Sequence, residues 1–206
     1  FPWRYFISEC IDAGVLPIWN PYIHLGFPQH ADPQTWYPVS SLISFLFGYD
    51  LRVLHGEFIL HLFIGAFGFR YLLQSVGVTK QGPLLLFSLA YVCSGFFISN
   101  AQFMGWIVSA CWIPVIIASC LYYFRDYRWL HLLQLILSLF LLLTGGYPAL
   151  FIITAYIVII IAVYNLIRLL RLKWKPISPK RLIAQTIVGL IAFVSVSAIV
   201  LKSSFE

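Results

Sequence analysis

Apolar residues run along this chain in long blocks. Stretches that each suffice to cross a hydrocarbon layer of about 30 Å lie near residues 53–76, 83–101, 104–124, 148–167 and 182–202. A further run, 129–143, holds 15 residues and reaches only about 22 Å at a rise of 1.5 Å per residue, so length alone leaves it as a half-helix or a re-entrant segment. Basic residues decide between these. Arg125 and Arg128 follow the third run, and Arg168, Arg171, Lys173, Lys175, Lys180 and Arg181 follow residue 167. The positive-inside rule places both loops in the cytoplasm. Two loops on one side are separated by an even number of crossings, so 129–143 and 148–167 both cross, and six transmembrane helices are predicted. Arg70 and Lys80 then also fall inside, whereas Glu9, Asp12, Asp32, Asp50 and Glu206 fall outside. Residues 1–50 form an extracytoplasmic loop and residues 51–206 the membrane bundle.

Composition agrees. Of the 206 residues, 61% are hydrophobic and 10% charged, against roughly a quarter charged in soluble domains. This excludes a cytosolic globule, a disordered chain and a disulfide-rich secreted module. The formal charge of +6 is explained by topology, and no nucleic-acid partner is expected. Cys10, Cys93, Cys111 and Cys120 form no CxxC pair and read as small core hydrophobes. The chain starts at Phe1 and ends just after an apolar run. It is therefore expected to be a segment of a longer protein, with at least one helix upstream that carries residues 1–50 to the outer side.

Within residues 1–50, Trp3, Phe6, Ile7, Cys10 and Ile11 form one stripe at helical spacing, with Arg4, Glu9 and Asp12 off it and Gly14 at the end. This predicts a short amphipathic helix at the membrane interface. Pro17, Pro21, Pro28, Pro33 and Pro38 then exclude helix and central strand, so this stretch is predicted to be loop. It interleaves Trp19, Tyr22, Phe27, Trp36 and Tyr37 with Asn20, His24, His30, Asp32 and Gln34. Rings that stack on sugar faces beside convergent polar groups suit carbohydrate binding. Rings that merely fold the loop onto the helices are an equal reading.

The stretch GVLPIWNPYIHLGFPQHADPQTWYPVSSL resembles the first periplasmic loop of YfhO-like bacterial membrane proteins, in Leu16, Pro17, Trp19, Asn20, Pro21, Gly26, Pro28, Ala31, Asp32, Gln34, Tyr37 and Pro38. TGGYPAL, Thr144 to Leu150, resembles the family's second small-residue loop, usually of Gly-His-Pro form, with Tyr147 where His is common. The resemblance implies a GT-C type glycosyltransferase of the bacterial plasma (inner) membrane that uses a polyprenyl-phosphate-linked sugar donor. It also implies a principal catalytic aspartate early in the first loop, in a position that falls before Phe1.

Ionisable residues inside a bilayer are costly and mark function by default. At 100° per residue, Asp50, Glu57, His61 and Gly68 fall within about 20° of one line, a stripe that wants protein or water. A Glu57–His61 pair at i, i+4 that satisfies itself and a wall of a donor cavity both remain open. His55 and His131 read as interfacial or structural. Ser94, Gly95, Ser99 and Gln134 read as helix-packing contacts. Because the run 129–143 is short, Gly145, Gly146, Tyr147 and Pro148 are expected at membrane depth, either against an outward-opening cavity or in a tight turn.

These features lead to an all-α, GT-C-like membrane enzyme that moves a sugar from a polyprenyl-phosphate donor to a glycan or lipid-anchored acceptor on the outer side. Asp32 is the first candidate for acceptor or metal contact, with Glu9, Asp12 and Glu57 next. Arg52 is the candidate to meet the departing phosphate, and Trp19, Asn20, His30, Gln34, Tyr37, His61, Gly146 and Tyr147 are candidate substrate contacts. No cofactor is evident, and a divalent cation (Mg or Mn) is a possible addition. A transporter and an inactive assembly partner of an envelope complex are the alternatives.

Overall fold

The computed structural model describes residues 2–23, 25–171 and 179–205, so His24, Lys173, Lys175 and Glu206 lie outside the described residues. Nine helices are described: α1 Pro2–Asp12, α2 Pro38–Phe47, α3 Leu51–Ser75, α4 Gln81–Val92, α5 Gly95–Ser99, α6 Met104–Asp126, α7 Trp129–Thr144, α8 Pro148–Arg171 and α9 Pro179–Phe205. There is no strand among the described residues, only an isolated bridge between Asn20 and Phe27.

Among the described residues four helical stretches are long and apolar enough to cross a membrane: Leu51–Ser75, Gln81–Ser99 (α4 with α5), Met104–Asp126 and Pro148–Leu169. Trp129–Thr144 and the apolar stretch Ala184–Ala198 are shorter. More than half of the apolar window of α6 is buried, against 6% of that of α8, so α6 is the centre of the bundle and α8 its rim. Ile152, Ile159, Ile160 and Val163 of α8 stand exposed, a surface that fits hydrocarbon and not water.

Two expectations are corrected. The run 83–101 is not one unbroken helix. It breaks at Cys93–Ser94, where Ser94 turns extended ahead of Gly95, two residues that favour leaving a helix. The proline-rich stretch does not stay loop to its end, because Pro38 opens α2. Proline at the first helical position costs nothing there, since that N–H has no intrahelical acceptor. Between them, Gln29–Ala31 and Pro33–Trp36 close short 3-10 turns.

Packing around α6 follows from small residues and one substitution of partners. Pro114 has no N–H to offer the carbonyl of Ala110, and the Tyr91 hydroxyl donates to that oxygen instead, at 2.9 Å. Gly65 and Gly68 bring α3 against α6: a Cβ at Gly65 would lie 3.3 Å from Cys111 Sγ, and one at Gly68 2.8 Å from Val115 Cγ2. Cys111 and Cys120 are buried with Cys10, whereas Cys93 is exposed. His55 is exposed. His131 stacks on Tyr122 at 5.2 Å, with Nε2 3.9 Å from Asp126. Gln134 accepts from the Tyr71 hydroxyl at 3.2 Å.

The short connections between successive helices put the starts of α3, α6 and α8 at the end occupied by residues 2–50, and the turns after Ser75 and Asp126 at the other. Gly68→Leu is expected to lower thermal stability in detergent by roughly 1–3 kcal/mol through overpacking. Gly56→Leu, where a Cβ meets nothing within 4 Å, is expected to leave the unfolding midpoint unchanged; equal losses at both sites would contradict the close α3–α6 contact.

Candidate functional site

The aromatic loop is held by its own polar groups. Asn20 and Phe27 exchange backbone hydrogen bonds at 2.8 Å in each direction. The Asn20 side chain donates to Gln29 (3.2 Å), Gln29 Nε2 donates to the Thr35 hydroxyl (3.1 Å), and that hydroxyl donates to the Gln29 carbonyl (2.6 Å). His30 Nδ1 lies 3.0 Å from the Ile18 carbonyl, and Trp36 Nε1 donates to the His30 carbonyl at 2.9 Å. Asn20 and His30 are thus spent on loop structure. Trp19 is exposed and packs over Gly26, whose φ of +113° and lack of a side chain admit the indole. Asp32 ends this loop: its Oδ1 accepts the Gln34 N–H at 2.9 Å, capping the second 3-10 turn, while Oδ2 is buried without a hydrogen-bond partner.

Beneath the loop, Glu57 of α3 is buried. Its carboxylate pairs with the Arg4 guanidinium of α1 and also accepts from the Ser40 hydroxyl of α2 at 2.6 Å and the Tyr49 hydroxyl at 2.5 Å. Arg4 also donates to the Tyr49 oxygen at 3.2 Å. One carboxylate therefore gathers α1, α2 and the α2–α3 connection onto the bundle. The self-satisfying Glu57–His61 pair is not formed: His61 Nδ1 approaches the Glu57 backbone carbonyl at 2.7 Å, not its carboxylate. Asp50 stands exposed at the head of α3, where its side chain caps Val53 N–H at 2.8 Å.

His61 instead joins a second chain of bonds. Nδ1 faces a carbonyl, which can only accept, so Nδ1 carries the proton and Nε2 is an acceptor. The Tyr37 hydroxyl, 2.7 Å away, then donates to Nε2 and accepts from Trp112 Nε1 at 3.0 Å. Tyr37 is fully buried, so this chain pins the end of the loop to α3 and α6.

Beside these groups is a cavity of about 290 Å³ whose lining includes Trp3, Arg4, Gln34, Phe103, Trp106 and Gly146. Gln34 lies across Gly146, where a Cβ would come within 2.1 Å of its Cγ, and Gly146 has φ +98°. A Cβ at Gly105 would lie 3.1 Å from the Gly145 carbonyl and 3.3 Å from Gln34 Oε1. Three glycines thus let the loop, the start of α6 and the α7–α8 turn meet. Tyr147 stacks on Trp106 at 4.4 Å, and Trp106 on Phe103 at 4.9 Å, giving an aromatic wall. A pocket of about 10 Å³ adjoins Arg4, Gln34, Ser40 and Ser44. Burial pushes the Asp32 carboxyl above its ordinary range, against the lowering by the Gln34 N–H and by the charge of Arg4.

Of the candidates, Gln34 and Gly146 line the cavity and Tyr147 backs its wall; Glu57 is paired with the lining Arg4, and Asp32, two residues before Gln34, feels the charge of Arg4 without lining the cavity. Glu9 and Asp12 lie on the exposed face of α1. Arg52 is exposed in the first turn of α3 and does not line the cavity; the cation that does is Arg4, which the apolar stripe of α1 left out. Among the described residues no group of three or more His, Cys, Asp or Glu is arranged to hold a metal. Comparison of the chain with protein-family models, curated proteins and solved structures gives no match in any of the three.

Removing one partner of a buried pair strands the other. Arg4→Met is expected to cost about 3–5 kcal/mol of stability, and Arg4→Met with Glu57→Gln clearly less than the sum of the two single changes. Additive losses, measured by thermal unfolding in detergent, would refute the pairing.

Proposed function

We propose that this protein is a membrane glycosyltransferase of GT-C type, moving a sugar from a polyprenyl-phosphate-linked donor to a glycan or lipid-anchored acceptor of the cell envelope. The observation that carries the reading is the aromatic-walled cavity where the two stretches resembling the YfhO-like family meet, Gln34 of the first over Gly146 of the second. Indole and phenol rings present flat apolar faces to a sugar, and Arg4 offers donors to a phosphate oxygen.

In this reading six helices cross the bacterial plasma membrane. Arg70, Lys80, Arg125, Arg128, Arg168 and Arg171 gather at one end, which is cytoplasmic by the positive-inside rule, so the cavity opens on the outer side. The unpaired Oδ2 of Asp32 accepts the proton of the acceptor hydroxyl. The acceptor oxygen bonds to the anomeric carbon as the bond from that carbon to the phosphate oxygen breaks. Polyprenyl phosphate leaves with that electron pair, and the N–H groups of Arg4 not engaged by Glu57 and Tyr49 meet its oxygens. Glu57 positions Arg4 and takes no part in proton transfer. No step is assigned to a divalent cation, because the described residues bring no metal-binding group together.

The test follows release of polyprenyl phosphate from polyprenyl-phosphate sugars by the intact protein in proteoliposomes. Asp32→Asn is expected to reduce turnover at least about a hundredfold, the usual weight of general-base catalysis. A carboxyl raised by burial takes up protons on folding, so at Asp32 stability falls as pH rises from the ordinary aspartate value through the raised one. Asp32→Asn removes that cost and still caps the turn, so its unfolding midpoint at neutral pH is expected to be equal to or above that of the parent. In the parent, the acid limb of turnover is expected above the ordinary aspartate range. Full turnover by Asp32→Asn would remove Asp32 from the mechanism, and no turnover by folded parent with any donor would favour a transporter or an assembly partner.

A further inference from the structure

A larger cavity, about 670 Å³, lies at the opposite end of the bundle, between the ends of α3, α6 and α8. Its walls are apolar toward the bundle, with Leu121, Phe124, Ile160 and Ile161, and polar at the rim, with Arg125, Tyr127, Tyr164, Asn165 and Arg168. Two arginines and, among the described residues, no carboxylate line it. The ion pairs given by the described residues are Arg4–Glu57 and His131–Asp126, so neither rim arginine is neutralised by one.

Part of the rim is held in place. Tyr127 closes α6 with φ +50°, a left-handed conformation that is uncommon for a residue with a side chain. Its N–H donates to the Tyr123 carbonyl at 2.7 Å, and its own carbonyl accepts from Gln185 of α9 at 3.3 Å. Gln185 in turn accepts from the Tyr123 hydroxyl at 3.3 Å. Two side chains, Tyr123 of α6 and Gln185 of α9, thus hold this left-handed turn.

We propose that this cavity is a binding site for one anionic phospholipid of the surrounding leaflet. The two guanidiniums meet the phosphate, the tyrosine and asparagine groups meet the headgroup, and the acyl chains lie along Ile160, Ile161 and the exposed apolar face of α8. The volume is that of a small-molecule site. The charge complements an anion, and the apolar walls continue into a surface already suited to hydrocarbon. A soluble phosphate compound uses only the rim, so the lipid is the occupant that fills both halves. This site is independent of the sugar-transfer reading.

The experiment is native mass spectrometry of the intact detergent-solubilised protein titrated with phosphatidylglycerol, phosphatidylcholine or glycerol phosphate. One tight phosphatidylglycerol is expected, with phosphatidylcholine and glycerol phosphate at least about tenfold weaker. Arg125→Gln with Arg168→Gln is expected to weaken phosphatidylglycerol about thirtyfold, from the usual contribution of two basic residues near an anionic surface. Arg125→Lys with Arg168→Lys keeps the charge and is expected to bind within a few-fold of the parent. Arg128 and Arg171 are exposed at the same end but outside the cavity, so Arg128→Gln with Arg171→Gln is expected to change binding less than about twofold. Equal losses in the two glutamine pairs would reduce the effect to diffuse surface attraction and overturn the site. Equal affinity for phosphatidylcholine, or for glycerol phosphate, would overturn it as well.

Discussion

A carboxylate two turns into an apolar helix has few ways to exist. Left alone it loses its charge or draws in water; paired, it dictates what must lie above it. Glu57 is in that position, and Arg4, Ser40 and Tyr49 are what lie above it. Each comes from a different part of residues 2–50, so satisfying one acid fixes α1, α2 and the α2–α3 connection against α3 together. Such a pair contributes little net stability compared with an apolar contact of the same shape, and what it supplies is a single admissible arrangement. The loop between α1 and α2 inherits that arrangement. Its own bonds, from Asn20 through Gln29 to Thr35, shape it, while Tyr37 and Gln34 attach it to α3, α6 and the α7–α8 turn.

Four apolar spans were legible because membrane burial is written in composition and length, and both are local properties of the chain. Glu57 was legible as an anomaly for the same reason. Its partner was not. The apolar stripe of α1 centres on Trp3, Phe6, Ile7 and Cys10, and by that measure Arg4 belongs to the polar side. Yet the buried face of α1 is Arg4, Ile7, Ser8 and Cys10, rotated toward Arg4 because the surface it meets carries a carboxylate. Hydrophobic periodicity finds the buried face of a helix only when the opposing surface is apolar. A buried ion pair across 53 positions leaves no periodic trace in either segment. The break at Cys93–Ser94 and the helix opened by Pro38 were missed for a different reason: serine, glycine and proline signal a boundary without saying which side of it is helical.

The glycines show the same limit from another side. Gly145 and Gly146 were read as irregular backbone at a helix end, which they are, with a cavity and a tight turn as competing explanations. The two explanations describe one arrangement. Gly146 turns the chain at positive φ, and its missing side chain is the space that Gln34 occupies. A residue more than a hundred positions away therefore decides why glycine is needed, and no window of sequence around the turn contains that information.

Both cavities follow from how helices end. A helix whose hydrocarbon run stops short, as α7 does, leaves backbone and polar groups at a depth where they must find protein partners, and the space beside them is lined by whatever the neighbouring segment offers. At one end that segment is the aromatic loop, and the result is rings with a guanidinium already half engaged by Glu57. At the other end α9 reaches the turn after α6 through Gln185, and among the described residues the cavity beside that turn is lined by two guanidiniums, apolar walls and no carboxylate. The difference between a site held by internal acids and one left for an external anion comes down to whether the chain supplies its own counter-charge, and among the described residues it does so for Arg4 and for neither arginine of the second cavity.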